Sequence, residues 1–319
     1  MTLVVRPLSG PDELDLFNRL PYLLNDEVAA DLAAGRRRTP WLWVALRGDH
    51  VVARAGWWAR AGDQHPFLMD IFDVDGSADD GLALLKAALP AMTAPGAPSP
   101  PEFLRFVPAE GPFTGPWRTV LEQSGARLLV ERRRLEWRPS SPVPPASGRL
   151  EWSPSSPVPP ASGRLEFRPP SGDPAELIDL MTLVLDGTLD AHSRADLRRL
   201  SPREVATEQF HEELVRYPSP RSWWRIARLP GGDPVGFVIP ARNDYNAVIA
   251  YIGVVPAHRG HGYIDDILAE GTRILAAEGV PRIRANTDVG NFPMEAAFAR
   301  AGYETFQRQV DLTWLPFTA

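Results

Sequence analysis

Residues 251–263 read Tyr251-Ile252-Gly253-Val254-Val255-Pro256-Ala257-His258-Arg259-Gly260-His261-Gly262-Tyr263. The opening residues suit a strand. Pro256 has no N–H and cannot extend a ladder, so pairing with a neighbouring strand is expected to fail there. Gly260 and Gly262 let the backbone turn tightly. Beyond them Ile264, Ile267, Leu268, Ile274 and Leu275 fall on one stripe, which predicts a helix over 263–277. The opening of a helix carries unpaired N–H groups and the positive end of its dipole, and it binds phosphate without cationic side chains. Arg259 can add a charge-assisted bond. Two glycines before a helix also fit an ordinary strand-to-helix turn. Three other phosphate or nucleophile motifs are excluded: there is no Gly-Lys-Ser/Thr, no third glycine of a dinucleotide fingerprint and no serine at a nucleophile elbow.

Outward from this turn, the second half reads as a strand at 165–168 and helices near 174–186 and 202–216. Ser201, Pro202 and Glu204 form a helix-start signature. Strands follow at 223–229, 235–241 and 248–255, then the helix at 263–277, a strand at 282–287, a helix at 293–301 and a strand at 304–314. The first half repeats the order: a strand at 3–8, helices at 11–20 and 25–34, and strands at 41–46, 51–58 and 67–74. A helix at 80–92 with Leu82, Leu85 and Leu89 on one face comes next, then a strand at 103–107, a helix at 116–124 and a strand at 127–137. Each half is therefore β-α-α-β-β-β-α-β-α-β, which implies duplication of one α/β domain.

Between the halves, residues 134–148 read RLEWRPSSPVPPASG and residues 149–163 read RLEWSPSSPVPPASG, differing only at Arg138 versus Ser153. A third start follows at Arg164-Leu165-Glu166-Phe167. A unit this short and rich in proline and serine builds no core and is read as a duplicated spacer. The expected organisation is a domain over 1–138, a linker over 139–163 and a second domain over 164–319.

Composition fits this picture. The 319 residues suit two domains. The formal net charge of -6 argues against a nucleic-acid partner. The run Arg36-Arg37-Arg38 is read as cations at a helix end. With no cysteine there is no disulfide, thiolate metal site or cysteine nucleophile. The N-terminus has no signal-peptide pattern and no stretch is long enough to span a membrane, so the expectation is a cytoplasmic protein without a membrane partner.

The arrangement Val254-Val255-Pro256, then Arg259-Gly260-His261-Gly262, then an amphipathic helix, resembles the central motif of GNAT acetyltransferases. Asn291 at a strand exit, with Gly302-Tyr303 eleven and twelve residues later, resembles the family's next element. The resemblance is strong over 220–314, moderate over 164–219 and topological only over 1–138. It implies two tandem GNAT-like α/β domains, each a mixed, mostly antiparallel sheet flanked by helices. It also implies acetyl-CoA as co-substrate. The strand carrying Val254 and Val255 would pair with the pantetheine arm, and an N–H near Val254 would polarise the thioester carbonyl. Amides of Gly260, His261, Gly262, Tyr263 and Ile264 would hold the pyrophosphate with Arg259, and Asn291 would contact the cofactor further along. The reaction implied is direct transfer of acetyl to a primary amine of a small molecule. The alternatives are an acyl-CoA-binding pseudoenzyme or sensor, and a protein N-acetyltransferase with an open peptide groove. The sequence fixes neither acyl length nor oligomeric state.

Two departures from the family pattern stand out. Ile264 replaces the small sixth residue of the turn, with Asp265 and Asp266 placing negative charge nearby. Phe298 occupies the position of the tyrosine that protonates the departing thiolate. For the proton chemistry, Tyr251 is either a catalytic phenol or a half-buried strand tyrosine. Asp288 is either a base or a turn aspartate, and Tyr263 either replaces the missing phenol or packs on the cofactor. Tyr245 and Asp244 belong to a hairpin turn. His192 with Asp190 and Asp186 lies where the acceptor pocket is shaped, or in an exposed loop. Trp223, Trp224 and Phe237 are pocket or core residues. His258 and His261 flank the turn, and no metal is expected. The matching place in the first half, 73–80, carries four carboxylates that would repel a pyrophosphate. That half is expected to be a degenerate copy that either buttresses the catalytic half or supplies one wall of its acceptor pocket.

Overall fold

The computed structural model describes residues 1–93, 102–111, 114–139 and 163–314. Most of the duplicated spacer, 140–162, lies outside the described residues. The elements in chain order begin with β1 (Leu3–Pro7), α1 (Leu14–Phe17), α2 (Asn25–Ala33), β2 (Leu42–Arg47), β3 (His50–Trp58) and β4 (Leu68–Val74). The first half continues with α3 (Ala78–Met92), β5 (Glu102–Pro108), α4 (Pro116–Gln123) and β6 (Arg127–Trp137). The second half runs β7 (Glu166–Arg168), α5 (Pro174–Leu185), α6 (Ala191–Asp196), α7 (Pro202–Glu208), β8 (Arg225–Arg228), β9 (Pro234–Arg242) and β10 (Ala247–Val254). It closes with α8 (Tyr263–Ala277), β11 (Ile283–Asp288), α9 (Phe292–Arg300) and β12 (Glu304–Thr313). The α/β element order read from the sequence is present in both halves. The second half adds α6, whose cap is Asp190 accepting from Ser193 N. α7 runs on through a π-helical turn, Gln209–Glu213.

Two compact units form, Met1–Glu131 with Arg308–Ala319, and Arg132–Gln307. They are not the two sequence halves, because β6 and β12 are each divided between them. In the first unit the strand order is β1-β2-β3-β4-β5-β12. All its ladders between β1 and β4 are antiparallel, and β4 meets β5 in parallel. Its core packs Phe72, Leu84, Leu85, Phe103 and Trp117 with Val310 and Leu312 from β12. Leu84, not Leu82, is the fully buried leucine beside Leu85 on α3; the helix is too dense in leucine for spacing to select its face. Arg37 is not a solvated helix-end cation. It is 2% exposed and forks onto Asp70 with two bonds of 2.7 Å, while Asp31 takes its Nε.

In the second unit the order is β6-β11-β10-β9-β8-β7. α8 packs Ile267, Leu268 and Leu275 into a core with Val235, Val238, Ile249 and Phe298. Each such buried aliphatic contributes about 1.5–3 kcal/mol relative to exposure. α5 and α7 pack Leu177, Met181, Val205 and Phe210 against Trp224, Ile226 and Phe237. Trp224 and Phe237 are thus core residues. No helix among the described residues is long and apolar enough to cross a membrane.

Candidate functional site

The second unit's site begins with two strands that part company. β10 and β11 are paired in parallel at only two rungs, Ala247↔Ile283 and Val248↔Arg284. Each then continues with its outer neighbour. β10 follows β9 as far as Val254↔Gly236, and β11 follows β6 as far as Asp288↔Arg132. The parting comes earlier than Pro256, where the sequence reading put it. Its local cause is a bulge at Ala250, where the register with β9 slips between Ile249↔Pro240 and Tyr251↔Ile239. Pro240 has no N–H to give the ladder, and a bulge bends and twists the strand that carries it. Val255 N–H bonds Val235 O at 2.9 Å. By the alternation of an antiparallel ladder, Gly253 and Tyr251 also face β9, while the N–H groups of Ile252 and Val254 face the opened edge.

The strand leads directly into the turn. Gly260 and Gly262 both take left-handed backbone, with φ of +82 and +73, and a Cβ on Gly260 would meet nothing within 4 Å. Gly262 is the N-cap of α8 and offers no side chain to cap it. Asp265 N–H bonds back to Gly262 O at 3.2 Å. The amides of Gly260, His261, Gly262, Tyr263 and Ile264 have no acceptor among the described residues. His261 lies parallel to Tyr263, with centroids 5.7 Å apart.

The side chains of this segment are engaged with the protein itself. Arg259 is held by main-chain carbonyls. Its guanidinium donates to Val254 O at 3.1 Å, Asp186 O at 2.7 Å and Val184 O at 2.8 Å. It ties the turn to the C-terminal end of α5, where carbonyls lack helical partners. Val255 is also spent: its side chain is buried, its N–H goes to Val235 and its carbonyl accepts from His258 N at 3.0 Å. The acids after Ile264 are neutralised, Asp265 by Arg300 at 2.7 Å and Asp266 by Arg164 at 3.0 Å. Asn291 caps α9, its Oδ1 accepting from Met294 N at 3.4 Å.

The acid–base residues separate into two groups. Tyr263 stays with the turn. Tyr251 lies edge-on to Phe237, 5.1 Å between centroids, and burial together with Asp190 and Glu213 pushes its phenol well above the ordinary tyrosine range. At neutral pH it can donate a proton and cannot serve as a base. Asp288 is 4% exposed, accepting from Arg132 Nε at 2.8 Å and Ala191 N at 2.6 Å. Both of its carboxylate oxygens are thus engaged, which braces β11 against Arg132 and the start of α6. Arg132 also reaches Asp190 at 2.9 Å. Burial would raise the Asp190 carboxyl, but Arg132 and the Ser193 amide outweigh it and hold it below the usual range. Phe298 is 1% exposed and packs on Tyr303, whose hydroxyl meets Thr272 Oγ1 at 2.8 Å. Tyr245 and Asp244 sit in a turn closed by Asn243, which accepts from Tyr245 N at 3.0 Å. Sequence reasoning missed Arg132, Arg164 and the bulge. Only Pro240, inside a strand pattern, signalled the last.

The first unit has the same parting of strands, but its own side chains fill it. β4 and β5 pair at Met69↔Phe103 alone. Arg105 then donates to Phe72 O at 2.9 Å and to Asp73 Oδ1 at 2.8 Å, and Tyr22 accepts from Phe106 N at 3.0 Å. The amides at the start of α3 are taken by a capping box of Ser77 and Asp80. Asp80 is paired with Arg47 at 2.6 Å, so it is a satisfied cap more than a repelling charge.

The second unit thus combines a parted parallel strand pair, a glycine turn and a helix start with unpaired amides. Residues 188–303 match the family model described as the acetyltransferase (GNAT) family. No curated protein matches the chain. A GCN5-related N-acetyltransferase from Sphaerobacter thermophilus shares the fold at 16% identity and TM-score 0.59, over 98% of this chain and 96% of that one. A tandem GNAT protein from the clavulanic acid biosynthesis pathway matches at 18% identity and TM-score 0.50, over 99% of both chains. A glucosamine N-acetyltransferase region of a fungal multi-domain GH3 β-N-acetylglucosaminidase matches at 17% identity and TM-score 0.55, over 98% of this chain and 38% of that one.

Proposed function

We propose that the unit Arg132–Gln307 is an N-acetyltransferase that moves an acetyl group from acetyl-CoA to a primary amine of a small molecule. The observation that carries this reading is two sets of unused main-chain donors, one on the opened edge of β10 and one at Gly260–Ile264 at the start of α8. The residues fit the co-substrate: Gly260 leaves open space at the turn, and the bare amides suit a diphosphate. Acetyl-CoA would supply the activated acyl group and a good leaving thiolate. The Val254 N–H, directed at the opened edge, would polarise the acyl carbonyl. Tyr251, held as a neutral phenol, would give its proton to the leaving group. With Asp288 braced, the proton of the incoming amine would pass to water. The first unit, with its parted strands filled by Arg105 and Tyr22, is read as a copy without an acyl-CoA site.

A second reading, an acyl-CoA-binding pseudoenzyme, is favoured by Asp288's commitment to Arg132 and Ala191 and by Phe298 in the core. One assay separates the two. The chain has no cysteine, so released CoA thiol can be read with a disulfide reagent without background. Amine-dependent CoA release, reduced in Tyr251→Phe, supports the enzyme. Tight acetyl-CoA binding with no release across polyamines, amino sugars and amino acids supports the pseudoenzyme.

A further inference from the structure

Arg164 was given no role by the sequence, yet it stands at the turn. Its Nη2 donates to His261 O at 3.2 Å and pairs with Asp266 at 3.0 Å. Its guanidinium lies 4.9 Å over the Tyr263 ring and 4.0 Å from where a Cβ on Gly262 would sit. Asp266 is 1% exposed in its side chain and fixes the guanidinium from beneath, while Arg164 itself is 36% exposed.

A trans peptide is planar, so the carbonyl of one residue and the N–H of the next point in opposite directions. By holding the His261 carbonyl, Arg164 fixes the His261–Gly262 peptide and turns the Gly262 N–H to the other side. Both neighbours at this point are glycine, the residue whose backbone rotates most freely. His261 steadies the Arg259–Gly260 peptide, with Nδ1 3.0 Å from Arg259 O. Arg259 anchors the turn's far side on three carbonyls and has no part at Gly262.

We infer that Arg164 is a positioning residue for the diphosphate of acyl-CoA, locking the His261–Gly262 peptide so that the Gly262 N–H is presented to the phosphate. This rests on the acyl-CoA reading above. It also gives the segment just after the duplicated spacer a direct hold on the ligand site. Asp266 belongs to the same device, since it keeps the guanidinium seated.

The test measures affinity of the full chain for acetyl-CoA and for acetyl-pantetheine, which has no diphosphate. Calorimetry serves for the first and ligand-observed NMR for the second. Losing a charge-assisted bond that orders the turn should weaken acetyl-CoA about tenfold in Arg164→Ala. Acetyl-pantetheine should change by less than about twofold. Arg164→Lys, which can still reach a carbonyl and a carboxylate, should recover most of the loss. The double variant Arg164→Ala with Asp266→Asn should stay weak, because the peptide is still unlocked. Recovery of native affinity in the double variant would reduce Arg164 to a counter-charge for Asp266 and overturn the inference. Equal loss for both ligands, with a lowered melting temperature, would make it a fold-stabilising residue only. Native binding unchanged in Arg164→Ala would overturn the inference alone. No acetyl-CoA binding by the native chain would overturn the acyl-CoA reading with it.

Discussion

Replacing Arg259 by alanine removes three hydrogen bonds at once, to Val254, Asp186 and Val184. A bond from a charged donor contributes about 1.5–3 kcal/mol when shielded. Arg259 is exposed, so about 1 kcal/mol apiece is the fitting figure. The sum, about 2–3 kcal/mol, should lower the melting temperature of the second unit by roughly 5–10 °C, at about 2–4 °C per kcal/mol for a unit of this size. Scanning calorimetry on the native chain and the variant reads it directly. Saturating acetyl-CoA should still raise the variant's transition, because the turn amides remain. If the melting temperature is unchanged while acetyl-CoA affinity falls tenfold or more, Arg259 is a phosphate ligand and the clamp reasoning is wrong.

Three further outcomes follow from the geometry. Gly236→Ala would put a Cβ 2.2 Å from Gly253 O and 3.1 Å from Val254 Cα, so β9 and β10 must move apart; a loss of about 3 kcal/mol in denaturant unfolding is expected, and a neutral variant would refute the packing argument. Tyr251 and Tyr303 have phenols raised by burial, so the unfolded chain releases those protons first; their stabilising effect is whole below about pH 10 and is lost as pH rises beyond it. Melting temperatures from pH 8 to 11 should fall, and fall less in Tyr303→Phe relative to its own neutral-pH value. Titration should give one acetyl-CoA per chain, because Arg105 and Tyr22 occupy the first unit's parted strands; a stoichiometry of two would contradict that.

Much of the fold was written in short-range patterns. Ser201-Pro202 and Glu204 marked a helix start that the structure closes with a capping box. The apolar stripe from Ile267 to Leu275 located α8, and the glycine pair located its bare N-terminus. Long-range commitments were not legible. The bonds of Arg259 to α5 are one case, because spacing shows which residues are adjacent, not that α5 ends beside the turn. Asp288 looked available because Arg132, 156 positions away in sequence, gave no local sign of its bond to it. The division of β6 and β12 between the units escaped notice for the same reason. Strand formers declare themselves, but their pairing partners do not. Arg164 was hidden for the same reason, since the turn it reaches lies 97 positions further along the chain.

The central claim is that the bare start of α8 and the opened edge of β10 receive acetyl-CoA. It is tested most directly by calorimetric titration of the native chain and of Gly262→Trp, whose side chain must adopt left-handed backbone and fill the turn. Micromolar binding by the native chain is expected, lost in a variant that keeps its fold by circular dichroism. Absence of binding by the native chain, or equal binding by both proteins, would contradict it.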